Sequence, residues 1–227
     1  MKLAEIEKVI EQVKKCDIEK ALELLNYARA EAICKQKGGK LKLLTAVKNV
    51  LKSAGTERPV LQKIQTSKDG MQAVCDGYML VKWLEQQDEL NELPIASYDE
   101  SIKVDNILPD ESVLSCCKEI KLSDNDLLLL GNVDKYIKLH KDKKQYCGLP
   151  LYFAGGYYEA GLLKRFCDVV GEFTEAKQVN SLTSPLFVCK DNLRAMILPI
   201  RVAEDSEKES VKERTEAFCE MLKQKVA

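Results

Sequence analysis

One pattern occurs twice in this chain and limits what it can fold into: an amphipathic helical segment followed by a pair of apolar runs. In residues 40–54, at about a hundred degrees per residue, Leu43, Leu44, Val47, Val50, Leu51 and Ala54 share one side. Lys42, Thr45, Lys48, Asn49 and Lys52 share the other. Residues 56–65 and 71–83 then read as strands. They are joined through Lys68-Asp69-Gly70, where aspartate and glycine tolerate the positive φ of a tight hairpin. After Pro150 the plan returns, with a strand at 151–154, a helix at 157–170 and strands near 186–189 and 193–202. The echo reaches individual residues. Arg58-Pro59-Val60-Leu61 followed by Lys68-Asp69-Gly70-Met71-Gln72-Ala73-Val74 matches Ser184-Pro185-Leu186-Phe187 followed by Lys190-Asp191-Asn192-Leu193-Arg194-Ala195-Met196. Internal duplication explains this, as does chance likeness between short apolar strands. Either way, helices mixed with hairpin-joined strands define an α+β class.

The first of these helices is also the most polarised stretch of charge. Residues 32–56 contain no carboxylate but carry Lys35, Lys37, Lys40, Lys42, Lys48 and Lys52, in a chain whose 35 basic and 36 acidic residues leave a net charge of −1. Such a face suits a polyanion, most simply a nucleic-acid backbone. A merely solvated lysine face is the competing reading.

Composition bounds the rest. At 227 residues and 45% hydrophobic, the chain can bury a real core as one large domain or two small ones. No apolar stretch approaches the roughly 20 residues that cross a bilayer, and the acids of the opening Met-Lys-Leu-Ala-Glu-Ile-Glu do not suit a secretory leader, so no membrane partner and a cytoplasmic location are expected. The nine cysteines, at 16, 34, 75, 116, 117, 147, 167, 189 and 219, form no C-x-x-C pair and no zinc spacing. They fit free thiols in a reducing compartment, with Cys75, Cys167 and Cys189 as small core residues; no metal or other cofactor is expected.

Around the repeated units, residues 1–38 read as a helical extension. Leu3, Ile6, Ile10 and Val13 form one stripe, then Asp17 caps a second helix bearing Ile18, Ala21, Leu22 and Leu25, ended by Gly38-Gly39. Residues 39–203 form the main domain. Within it, 85–126 holds twelve acids against Lys103, Lys118 and Lys121 and reads as an acidic connector or insertion, with strand pieces at 119–122, 126–130 and 136–140. Residues 204–227 form a helical tail with Val211, Phe218 and Leu222 on one stripe, expected to pack on a partner or on the first helices.

Two segments resemble the bacterial sliding clamp, the beta subunit of the replicative DNA polymerase. One runs from Leu43-Leu44-Thr45-Ala46-Val47 through Arg58-Pro59-Val60-Leu61 to Asp76-Gly77-Tyr78-Met79-Leu80, similar to that family's helix, R-P-I-L strand and D-G-[HY]-R-L turn. The other joins Leu162-Leu163-Lys164-Arg165-Phe166, Ser184-Pro185-Leu186 and Ile197-Leu198-Pro199-Ile200-Arg201, similar to its Y-L-L-x-A-L helix, S-P-V strand and M-P-[MV]-R strand. The likeness covers about half of the chain. A family subunit carries three such domains, whereas this chain has residues for one, in two halves related by a pseudo-two-fold.

The resemblance implies a DNA-clamp-like domain whose two helices lie side by side on one face of the strands. Lys42, Lys48, Lys52, Lys164 and Arg165 would meet the duplex backbone without sequence preference. It further implies a groove for an apolar peptide of DNA polymerase or other clamp-binding proteins, at Gly77, Tyr78, Met79, Leu80, Leu198, Pro199, Ile200 and Arg201. Met79 stands where the family has arginine, and in the family the two groove elements come from neighbouring domains.

Catalytic residues are not expected. His140, the only histidine, sits in a lysine-rich stretch and reads as a surface residue. Gly156-Tyr157-Tyr158-Glu159-Ala160-Gly161 lacks the lysine and hydroxyl residue of a phosphate loop. Asp124 and Asp126 suit turn hydrogen bonds better than metal ligation. Trp83, Tyr157 and Tyr158 suit core positions better than base stacking. The expected function is therefore a non-enzymatic, sliding-clamp-like processivity factor, of a phage or mobile element, that encircles or contacts DNA, encirclement requiring self-assembly or a partner. The alternative is a protein-interaction module of the same fold without DNA binding.

Overall fold

The computed structural model describes residues 3–36, 41–143, 148–179 and 183–224 and shows a mixed α+β protein with mostly antiparallel strands. Gly38, Gly39, Lys37, Lys40 and Cys147 lie outside the described residues. The chain divides into two compact units, residues 1–76 with 85–104, and residues 77–84 with 105–227.

The first unit opens with helices α1 (Leu3–Lys14) and α2 (Ile18–Gln36), packed on one another as a hairpin. Asp17 starts α2 as its cap, its carboxylate accepting the Lys20 N–H at 3.0 Å, which satisfies one of the amides a helix start leaves unpaired. Of the expected Ile18, Ala21, Leu22 and Leu25 stripe of α2 only Ala21 is buried; Tyr27, Ala30 and Cys34 are buried as well, and Ile18, Leu22 and Leu25 remain exposed. Helix α3 (Leu41–Ser53) buries Leu44, Val47, Val50 and Leu51, as its periodicity requires, and also Ala46; it packs against α2 and β2.

Residues 56–65 form no strand of that length. Proline has no N–H for a ladder, and Pro59–Gln62 winds into a 3-10 turn before the short β1 (Gln65–Thr66). Gln65 is buried and satisfies the irregular backbone around it, donating to the Val60 and Lys63 carbonyls at 2.7 and 2.6 Å and accepting from Ile102 N–H at 3.0 Å. The hairpin expected at Lys68-Asp69-Gly70 is present: β1 pairs antiparallel with β2 (Gln72–Cys75), and Gly70 takes φ +78°.

Residues 85–104 are no connector. They return to the first unit and bury Leu90, Leu93, Ala96 and Val104. Ile64 bridges the segment through Ile64 N–H to Pro94 carbonyl and Ala96 N–H to Ile64 carbonyl, both 2.8 Å. Glu85, Asp88, Asp99 and Glu100 are exposed positions around these buried apolar anchors, while Glu92 is partly buried and pairs with Arg29 at 3.7 Å.

The second unit begins with β3 (Met79–Trp83), separated from β2 by Gly77 at φ +93°, so 71–83 is two strands rather than one. Short helices α4 (Val104–Ile107) and α5 (Glu111–Ser115) lead to β4 (Lys118–Lys121), one residue from its expected place. The strand pieces expected at 126–130 and 136–140 are helices α6 (Asp124–Leu130) and α7 (Val133–Leu139). A capping box decides α6: Ser123 accepts from Asp126 N–H while the Asp126 carboxylate accepts from Ser123 N–H.

A hairpin of β5 (Pro150–Phe153) and β6 (Gly156–Glu159) feeds helix α8 (Ala160–Val170), which starts later than expected, where Glu159 caps the Leu162 N–H. Strands β7 (Glu175–Gln178), β8 (Leu186–Lys190) and β9 (Leu193–Ile197) complete the sheet. Within this unit the order is β3-β9-β8-β7-β4, all neighbours antiparallel. Strand β9 stops short of the expected Val202, before Pro199.

Helix α8 lies on β3 and β9 and buries Leu162, Leu163, Phe166, Val169 and Val170. Edge-on rings of Phe153, Tyr158, Phe166 and Phe173, with centroids 5.9–6.4 Å apart, fill the layer beneath it. The tail is helix α9 (Asp205–Gln224), with Val211, Phe218 and Leu222 buried as its stripe requires. It packs on β5 and α6 of its own unit. His140 is not a surface residue. It is half-buried against the rings of Tyr136 and Phe218, at 4.7 and 6.3 Å.

Candidate functional site

The cations expected to face a polyanion sit in three different environments. Lys42 is exposed on α3. Lys48, one turn and a half on, turns toward α2: its ammonium lies 3.2 Å from the Glu31 carboxylate and 4.6 Å above the Tyr27 ring, with 18% of its side chain exposed. The Lys52 ammonium also stands over that ring, at 5.1 Å. Two ammonium groups over one aromatic ring is an attractive arrangement, because a ring face carries negative quadrupolar charge and Glu31 offsets the repulsion between them. The helix therefore shows its lysine face in part to its own chain.

On α8, Lys164 is held by Asp168, one turn on, at 2.6 Å and by Asp134 of α7 at 3.5 Å. Burial pulls the Lys164 pKa down, but the hydrogen bond and charge of Asp168, with the charge of Asp134, outweigh it, and the net shift is upward. Lys164 is thus a fixed cation with its charge largely matched. Arg165 is half-buried beside it.

Sequence reasoning missed a further cationic feature. A cleft of about 690 Å³ in the first unit is lined by Lys20, Lys52 and Lys63, with Asp17, Tyr27, Pro59 and Pro94. Lys20 comes from the start of α2 and Lys63 from the end of the 3-10 turn, so no linear run of charge announces the cluster.

The two elements expected to form a peptide groove do meet, and within one unit. Strand β3 pairs with β9, Met79 opposite Ile197 and Leu80 opposite Met196. Beyond the end of β9 the pairing continues: Leu198 N–H donates to the Tyr78 carbonyl at 2.8 Å, and Ile200 N–H donates to the Tyr157 carbonyl at 2.8 Å. Pro199, with no N–H, stands between the two donors. Of the expected groove residues, Met79 and Leu80 are buried and serve the core. Tyr78 is 57% exposed, Leu198, Pro199 and Ile200 are half-buried, and Arg201 is exposed. The Gly77 conformation turns Tyr78 outward, and the Asp76 that precedes it accepts from the Ser53 hydroxyl at 3.2 Å. The result is an apolar strip with a tyrosine at one side and an arginine at its end.

No catalytic constellation assembles from the described residues. His140 Nε2 is buried without a hydrogen-bond partner, and burial, then the charge of Arg214, lowers its pKa from the ordinary 6.5. Asp126 is committed to the α6 cap and to Ala154 N–H at 2.8 Å. Burial raises the Cys167 thiol to about 12 and the Cys219 thiol to about 11, far from a reactive thiolate. Among the described residues no group of three or more His, Cys, Asp or Glu side chains is placed to hold a metal, and no helix is long and apolar enough to cross a membrane. No model of a protein family, no curated protein and no solved structure matches the chain.

Proposed function

We propose that this chain is a non-enzymatic, sliding-clamp-like processivity factor, recruiting replication or repair proteins by a short apolar peptide and touching duplex DNA by diffuse cationic contacts. One observation carries the reading: the Leu198 N–H to Tyr78 carbonyl bond, which joins the Gly77-Tyr78-Met79-Leu80 and Leu198-Pro199-Ile200-Arg201 elements in a single unit and leaves an apolar strip beside an exposed tyrosine. An extended peptide placing apolar side chains along Tyr78, Leu198 and Ile200, with an acid toward Arg201, has the matching chemistry. Lys42, Lys52 and Arg165, with the cleft lysines Lys20 and Lys63, provide cations suited to water-tolerant phosphate contact, which permits sliding because it reads no base. One domain is too small to enclose a duplex, so the proposal requires more than one copy.

The pairing of Lys48 with Glu31 and of Lys164 with Asp168 favours a second reading, an interaction module that keeps the peptide strip and does not bind DNA. Anisotropy with a labelled apolar peptide and with a labelled duplex separates the two. Under the first reading Ile200→Asp abolishes peptide binding and leaves the duplex bound, whereas Lys42→Glu with Lys52→Glu does the reverse. Peptide binding without duplex binding selects the interaction module. Peptide binding unaffected by Ile200→Asp, in protein whose circular dichroism is unchanged, overturns the strip.

A further inference from the structure

The hairpin of α1 and α2 has an unfinished seam. Ile6, Ile10 and Val13 on α1, and Ile18, Leu22 and Leu25 on α2, repeat with the alternating spacing of four and three that marks a coiled-coil stripe. All six are between 37% and 65% exposed. In α2 this stripe lies opposite the buried side that carries Tyr27, Ala30 and Cys34; on the stripe's own side only the small Ala21 is buried, and the three large side chains stay exposed. Two helices alone cannot enclose such a seam; four can.

We propose that a second copy of this chain covers it, two hairpins closing into an antiparallel four-helix bundle. The charges beside the α1 stripe select that occupant. Glu7 and Lys14 flank it on the same side, two turns apart and on either side of Ile10. A two-fold axis near Ile10 sets Glu7 of one copy against Lys14 of the other, twice, and lays Ile6 opposite Val13. A parallel pairing brings neither charge to an opposite one. Among the described residues neither Glu7 nor Lys14 is in an ion pair, whereas their neighbours Glu11 and Lys15 bond each other at 2.6 Å. The six residues expose on the order of 500 Å² per copy, so pairing removes on the order of 1,000 Å² in total, which reaches the size of a specific interface. A net charge of −1 opposes the pairing hardly at all. The inference is read from the hairpin alone and stands apart from duplex binding, although the clamp-like reading needs such a partner.

Light scattering and sedimentation equilibrium on the full chain at micromolar concentration test it. The parent should have twice the 25.6 kDa chain mass. Ile10→Glu with Leu22→Glu should weaken the dimer by at least about a hundredfold, each buried charge being costly. Because those substitutions touch the seam, the charge swaps are the sharper arm. Glu7→Lys or Lys14→Glu alone should weaken the dimer about tenfold, and both together should restore it, which only a self-complementary interface does. A single-chain mass for the parent, or a doubly swapped protein no tighter than the single swaps, overturns the proposal.

Discussion

Replacing Glu31 by glutamine keeps the side-chain shape and removes the charge that holds Lys48 against α2. The pair is 3.2 Å apart with 18% and 29% of the two side chains exposed, so it is neither a loose surface contact nor fully desolvated. At that distance the Coulomb attraction is about 1 kcal/mol in bulk water and about 5 kcal/mol at an effective dielectric of 20, and ordering two long side chains offsets most of the larger figure. A net loss of about 1 kcal/mol follows, which lowers Tm by about 2–4 °C in a chain of this size. Lys48 and Lys52 also share one ring, so loss of Glu31 leaves two neighbouring cations without that offset. A released Lys48 should then reach phosphate. Duplex affinity rises about fivefold, and the logarithmic salt slope steepens by about 0.9, the increment of one more phosphate contact. Differential scanning calorimetry and a salt-titrated anisotropy series read both effects on the same Glu31→Gln protein. Lower stability with an unchanged slope would show that Lys48 has no part in duplex contact. Unchanged stability would refute the ion-pair reasoning itself.

Three further outcomes follow from other parts of the molecule. Tyr136 donates to the Pro150 carbonyl at 3.1 Å and accepts from Arg214 Nε at 3.1 Å, so Tyr136→Phe should cost about 1–2 kcal/mol by urea unfolding; a change below a few tenths means that water replaces the hydroxyl. His140 is held neutral by burial, its folded-state pKa below 6.5, so its contribution to stability is complete above 6.5 and is lost as pH falls through the folded value. The pH dependence of urea midpoints in that window should flatten in His140→Phe. Iodoacetamide should label the exposed Cys16 and Cys116 in native protein at mildly alkaline pH and spare Cys167 and Cys219, whose thiols burial raises to about 12 and about 11; mass spectrometry of the tryptic peptides reads the pattern.

What the sequence made legible was local and strongly periodic. The apolar side of α3, the Asp17 cap, the Lys68-Asp69-Gly70 hairpin and the α9 stripe could each be read because one residue pattern favours one conformation. The region 124–139 was misread for an equally local reason. Leu127 to Leu130 is a short apolar run without distinct period, and only the Ser123 and Asp126 box makes it helical. Acidic composition hid the role of residues 85–104, since Pro94 interrupts the three-residue spacing of Leu90, Leu93 and Ala96, and Val104 stands eight residues further on.

The candidate surfaces divide in the same way. The strip of Tyr78, Leu198 and Ile200 was picked out only through the resemblance to the sliding clamp; no periodicity or composition marks it. The partners of Lys48 and Lys164 were only half visible. Asp168 is four residues from Lys164, but Glu31, Tyr27 and Asp134 come from other helices, and the cleft of Lys20, Lys52 and Lys63 exists only once α2 has packed on α3. Which side of α2 is buried was likewise a tertiary choice between two apolar faces.

Duplex binding by the unmodified chain, followed by anisotropy between about 50 and 200 mM salt, addresses the replication-factor claim most directly. One phosphate contact each from Lys42, Lys52 and Arg165 predicts binding without sequence preference and a logarithmic slope of roughly −3. No binding at the lowest salt, or binding that salt leaves unchanged, would contradict it.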